Sequence, residues 1–171
     1  MIESFKNLSV RTHSFLGFCA CLFLMSYALY AEHILGLEPC PMCIFQRLST
    51  ILLGLVFLIG SFPITSPFSR LIIGLLISLT SLSGILVASR HVWLQNLPPE
   101  KVPGCGPGLD FMVENFPLSD VFEMGVSGSG ECANVDWSLL GLSMPAWVII
   151  SLSLLAIFGV WSNLRSYNKA I

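Results

Sequence analysis

The sequence predicts an all-α membrane protein: a four-transmembrane-helix bundle with one long external loop that contains a short amphipathic helix. Composition carries the first part of that prediction. Of 171 residues, 54% are apolar and only 11% charged, and the mean hydropathy of +0.81 is too high for a soluble domain of this length. Spacing carries the second part. Residues 14–31, 44–62, 71–89 and 145–161 are apolar runs at or near the roughly 20 residues needed to cross a hydrocarbon layer of about 30 Å. In lipid every backbone polar group must be satisfied within its segment, so such runs become helices. The whole chain, 1–171, reads as one membrane domain in a lipid bilayer, with no nucleic-acid partner expected.

Each run has its own signature. The first follows Lys6 and Arg11 in the manner of a secretory leader, but its 18 residues exceed the apolar core of such leaders, and Ala28 and Ala31 lack the Ala-x-Ala spacing of a cleavage site. It is expected to be a retained helix. The second run has Gln46 and Arg47 in its first turn, at the depth where a long cationic side chain can snorkel to the headgroups. Cys19 and Cys21 lie inside the first run, two positions apart and so on nearly opposite helix faces, and read as small apolar side chains.

Positive charge sets the expected orientation. Lys6, Arg11, Arg70, Arg165 and Lys169 fall on the side of both termini and the 63–70 turn, whereas Arg47, Arg90 and Lys101 fall on the other. Five against three places segments 1–13, 63–70 and 162–171 in the cytoplasm. Segments 32–43 and 91–144 are then external, and four of the six cysteines lie in them.

The first external segment ends in Cys40-Pro41-Met42-Cys43, at the mouth of the second run. Thiolate is the reactive form in disulfide exchange, and a helix N-terminus or a nearby cation favours it. Cys43 has Arg47 one turn on along the same face. Cys40, between Pro39 and Pro41, sits in extended backbone open to an incoming thiolate. The second external segment places Cys105 among Pro103, Gly104, Gly106, Pro107 and Gly108, an exposed turn. It also places Cys132 behind the glycine- and serine-rich stretch 125–130, which reads as a flexible tether. Between them, Leu109, Met112, Val113 and Phe116 share a helical stripe before Pro117, and Leu118, Val121 and Phe122 continue it. Its polar face is acidic, so docking on the bundle competes with lying on lipid.

Zinc is one alternative for these cysteines. A structural zinc site needs two close pairs, whereas Cys105 and Cys132 are 27 positions apart, and an oxidising compartment disfavours thiolate ligation; no metal is expected. Two structural disulfides are another, but a bridge across Cys-x-x-Cys closes too short a loop to stabilise much. Redox chemistry is the favoured reading. Electrons entering a dithiol at a membrane must leave it, and a lipid-soluble quinone is the natural acceptor. Arg90, His91 and Trp93 lie at the external end of the third run, level with Cys43 and Arg47, where a polar cofactor head could be held; an interfacial anchoring belt is the plain alternative.

These residues together, with Gly130-Glu131-Cys132-Ala133 and the stretch 140–147 (Leu-Gly-Leu-Ser-Met-Pro-Ala-Trp), resemble the bacterial disulfide bond formation protein B (DsbB) family along nearly the whole chain. The resemblance implies a quinone-dependent protein-disulfide oxidoreductase of the bacterial inner membrane, with its redox loops in the periplasm. It implies that Cys105 and Cys132 form the disulfide attacked by a reduced DsbA-like partner. It further implies that the Cys40–Cys43 disulfide reoxidises that pair, and that Cys43 passes electrons to ubiquinone or menaquinone, with Arg47 and His91 at quinone-associated positions. The sequence departs from the family at Gln46, where some members carry an acid, and in having Cys19 and Cys21, which the family mechanism does not need. Two rivals stand beside this reading. One is a non-enzymatic membrane scaffold with a disulfide-stapled loop; the other is a vitamin K epoxide reductase-like enzyme, although an appended thioredoxin domain and a second Cys-x-x-Cys are lacking.

Overall fold

A computed structural model describes residues 9–64, 66–104 and 115–170. Four long helices, α1 (Val10–His33), α2 (Pro41–Ser61), α3 (Pro67–Gln95) and α5 (Met144–Ala170), are joined on the loop side by a short helix, α4 (Leu118–Ser127). All four long helices are apolar and long enough to cross a membrane, and the protein is a four-helix membrane bundle. The chemistry at the helix starts is local. Ser9 caps α1 by accepting from the Thr12 N–H at 3.3 Å, and α2 and α3 each begin with proline, which fits where no N–H partner exists. At about 1.5 Å per residue, the 29 residues of α3 are longer than the roughly 30 Å hydrocarbon layer requires, so its last turns carry polar side chains toward the loop end of the bundle.

The helices pack α1 against α2, α2 against α3 and α3 against α5, with a smaller α1–α5 contact closing the bundle. Helix association in lipid depends on close packing and small residues rather than on expelling water. Phe57, Leu53, Cys21, Ile73, Ile77 and Leu152 fill the centre. The Phe57 ring is clamped between two glycines: a Cβ on Gly17 would come within 2.6 Å of it, and one on Gly159 within 2.8 Å. At the end opposite the loops, the buried Arg70 donates to the carbonyls of Gly60 at 2.8 Å and Ile64 at 3.3 Å, tying the α2–α3 turn.

The loop side is more ordered than the glycine-rich sequence suggests. Helix α4 packs on the start of α2, with Gly125 against the Phe45 ring. Gly128, at φ +84°, fits against Leu94 and Met42 where any side chain would collide. The stretch expected as a tether is therefore a packed segment. The first half of the expected loop helix, 109–114, and Cys105 lie outside the described residues. After a 3-10 turn at Gly130–Ala133, a two-residue hairpin pairs Ser138 with Ser143 and Leu139 with Leu142. It turns through Leu140 and Gly141 at φ +55° and +79°. Trp147 of α5 donates its indole N–H to the Leu139 carbonyl at 3.1 Å, fixing the hairpin to the helix that follows.

Candidate functional site

The Cys-x-x-Cys pair straddles the start of α2. Cys40 is the extended N-cap residue, with φ −68° and ψ 163°, and Pro41 opens the helix, so the Cys43 N–H reaches back to the Cys40 carbonyl at 2.9 Å. That single turn brings the sulfurs to 3.3 Å as hydrogen-bonded thiols. Both are half-buried.

The third helix supplies the next group. His91 is only 3% exposed, and its Nε2 lies 3.8 Å from the Cys40 sulfur. On the other side of the ring, Nδ1 meets the Gln46 side-chain amide nitrogen at 3.0 Å. An amide can donate through its nitrogen or, turned over, accept through its oxygen, so it can serve either imidazole tautomer. The result is a chain of contacts, Gln46 to His91 to Cys40, running from the bundle interior to the Cys-x-x-Cys pair.

Cys132 completes the cluster. The sequence suggests an exposed loop cysteine, but this thiol is fully buried, packed with Met42 and Leu94 and flanked by Cys40. The surrounding turn is built for it: the Cys132 N–H donates to Ser129 O at 2.9 Å, and the Ser129 hydroxyl lies 3.8 Å from its sulfur. Hydrogen bonding to Cys40 and then burial push the Cys132 thiol well above its ordinary range, keeping it protonated until an attacking or accepting group arrives. Gly130 N–H also donates to the Gly104 carbonyl at 3.2 Å. This ties the residue before Cys105 to the turn that holds Cys132.

Arg47 projects elsewhere. It lies one turn beyond Cys43, but its guanidinium donates to the Glu32 carboxylate and to the Ala28 carbonyl at 3.3 Å, joining α2 to the end of α1. Arg90 stacks on Trp93 with 4.1 Å between guanidinium carbon and ring centre, an anchoring pair rather than part of the cluster. Cys19 and Cys21 remain in the helical body, Cys21 against Gly54, far along the chain from the thiols that meet.

Sequence reasoning set Gln46 beside Arg47 at headgroup depth and gave neither it nor Glu32 a place in the site, whereas the fold buries Gln46. Gln46 had a readable signal: Met42, Gln46, Ser49, Leu53 and Phe57 are all buried on one face of α2, at the 3.6-residue period of a core stripe. A polar amide there needs a buried partner. Glu32 had none, because only packing brings the end of α1 to Arg47.

Comparison with known proteins shows the family. The sequence model of the family described as "Disulfide bond formation protein DsbB" matches residues 10–162. Relatives named disulfide bond formation protein B include one from Nitrosococcus oceani, 43% identical over 164 residues, covering 96% of this chain and 97% of that protein. Another, from Methylococcus capsulatus, is 46% identical over 157 residues, covering 91% and 96%. A third, from Acinetobacter baumannii, is 44% identical over 163 residues, covering 94% and 95%. Similarity of this extent runs through every helix of the bundle and through both cysteine-bearing segments, and the chain therefore belongs to the disulfide bond formation protein B family of membrane disulfide-forming oxidoreductases.

Proposed function

We propose that this protein reoxidises a DsbA-like periplasmic dithiol protein and passes the electron pair to a membrane quinone, ubiquinone or menaquinone. The meeting of Cys40, Cys43 and Cys132 with His91 at one end of a membrane bundle carries this reading. It puts thiol exchange and a lipid-soluble acceptor within reach of each other.

The relay proceeds by exchange. A partner thiolate attacks one sulfur of a Cys105–Cys132 disulfide, and the partner's second thiol resolves the mixed disulfide, leaving the partner oxidised and both loop cysteines reduced. A loop thiolate then attacks Cys40 of a Cys40–Cys43 disulfide, expelling Cys43 as thiolate, and the remaining loop thiol closes the loop disulfide again. The packing of Cys132 beside Cys40 supports this step, as does the tie between Gly104 and Gly130.

The residues around Cys43 suit a ring arriving from lipid. Leu48 and Ile51 are exposed on the lipid-facing surface of α2 at 51% and 43%, and Arg47 offers N–H donors one turn from the sulfur. A bound quinone would take two electrons and two protons from the dithiol, regenerating the Cys40–Cys43 disulfide. His91, held by Gln46, is placed to take the Cys40 proton at Nε2. Both termini would face the cytoplasm of a bacterial inner membrane, with the cysteine-bearing loops in the periplasm.

The test is oxidation of a reduced periplasmic dithiol protein by the purified protein in lipid with added quinone. Cys40→Ser and Cys43→Ser should each abolish turnover while leaving the protein inserted. Cys132→Ser should block oxidation of the partner but leave the short pair oxidised by quinone, as read by alkylation and mass. Near-normal turnover in either short-pair variant would overturn the relay.

A further inference from the structure

We propose that the dithiol form of this site captures a soft divalent cation of the zinc class, through the sulfurs of Cys40 and Cys43 and the Nε2 of His91. Spacing along the chain speaks against zinc, because Cys105 and Cys132 are 27 positions apart and form no second close pair beside Cys40 and Cys43. The fold removes that objection by bringing a helix-borne imidazole to the pair.

The distances suit the ion. The ligating atoms of Cys40, Cys43 and His91 all lie within 4.8 Å of one another, with 3.3 Å between the two sulfurs and 3.8 Å from Cys40 to His91. Zinc bonds of about 2.3 Å to sulfur and 2.0 Å to nitrogen hold tetrahedral ligand atoms roughly 3.5 to 3.8 Å apart. Small side-chain rotations therefore suffice. Cys40, Cys43 and His91 give a two-cysteine, one-histidine set, which leaves the fourth tetrahedral position to a solvent molecule.

The outer contact is present as well. A ligating imidazole needs its second nitrogen held, and Gln46 meets His91 Nδ1 at 3.0 Å in a buried setting. Each coordinating thiol gives up its proton to solvent, so capture needs reduced cysteines and is reversed when the pair becomes a disulfide. Metal would then stall the protein in its reduced form and compete with exchange. This rests only on the dithiol geometry, not on the quinone reading.

The experiment titrates cadmium, and zinc in competition, into the reduced full-length protein in lipid nanodiscs. It follows thiolate-to-metal charge-transfer absorbance and protection from alkylation, neither of which depends on turnover. One ion per chain should bind, Cys40 and Cys43 should become protected, and the disulfide form should bind none. His91→Ala should weaken binding by tenfold or more. Gln46→Leu should weaken it by roughly 10- to 100-fold, the usual loss on removing such an outer partner. A Cys19→Ser, Cys21→Ser double variant should bind as the parent does. Full alkylation of Cys40 and Cys43 under saturating metal would overturn the proposal, and so would undiminished binding in a folded His91→Ala protein.

Discussion

Two adjacent residues at the start of α2 divide the work by register. Gln46 points inward to His91 and Arg47 points across to Glu32 and Ala28, because neighbours on a helix are 100° apart. Removing the amide leaves a buried ring nitrogen unpaired, at a cost of about 1–3 kcal/mol. Gln46→Leu should therefore slow reoxidation of the Cys40–Cys43 pair roughly tenfold at saturating quinone, with little change in KM, while Gln46→Glu restores most of the rate by holding Nδ1 again. A raised KM with an unchanged rate would show that the amide does not act through His91. Arg47 calls for a paired comparison. If its role is toward quinone, Arg47→Gln should raise the KM for quinone several-fold, and Glu32→Gln should not. Equal losses of thermal stability in both variants, with KM unmoved, would reduce Arg47 to a clamp between α1 and α2.

Among the elements, close packing of the long helices is decided by glycines set against one ring. Phe57 cannot yield to a methyl group on either side, since Gly17 and Gly159 face it from α1 and α5. Overpacking of this kind costs about 1–3 kcal/mol, so Gly159→Ala should lower the Tm measured in detergent. Gly74→Ala supplies the contrast. Its Cβ would make only an ordinary 3.6 Å contact with Asn163, and alanine is the better helix former by about 1 kcal/mol. A Tm that is unchanged or raised in Gly74→Ala and lowered in Gly159→Ala is the expected pattern; equal effects would show that Phe57 relaxes.

For the whole molecule, lipid exposure and charge work together. Large apolar side chains such as Phe23, Leu75 and Leu86 stand out from the bundle at 71%, 58% and 61% exposure, as a surface against acyl chains allows. The site sits at one end of that surface, at the start of α2 and the last turns of α3. With five Lys/Arg at the terminal end and three at the site end, a reporter active only in the periplasm should work when inserted after Val102 and fail when fused after Ile171. The reverse result would place the thiols in the cytoplasm, where glutathione keeps such pairs reduced.

Class and the meeting of Cys40 with Cys43 could be read from the chain alone. Long apolar runs admit few structures in lipid, and Cys40 and Cys43 are joined by a single helical turn, so their meeting needs no distant contact. The family pattern in the same residues was likewise legible. What the sequence could not determine was which remote groups come to that pair. Fifty-one positions separate Cys40 from His91 and forty-five separate Gln46 from His91; the α2–α3 packing closes both gaps. Cys132 shows the limit most sharply: its glycine-rich approach reads as a tether, yet it becomes a fully buried thiol. Glycine there provides close approach to Leu94 and Met42 rather than freedom, and local composition cannot distinguish the two, because the difference lies in what the rest of the fold puts beside it.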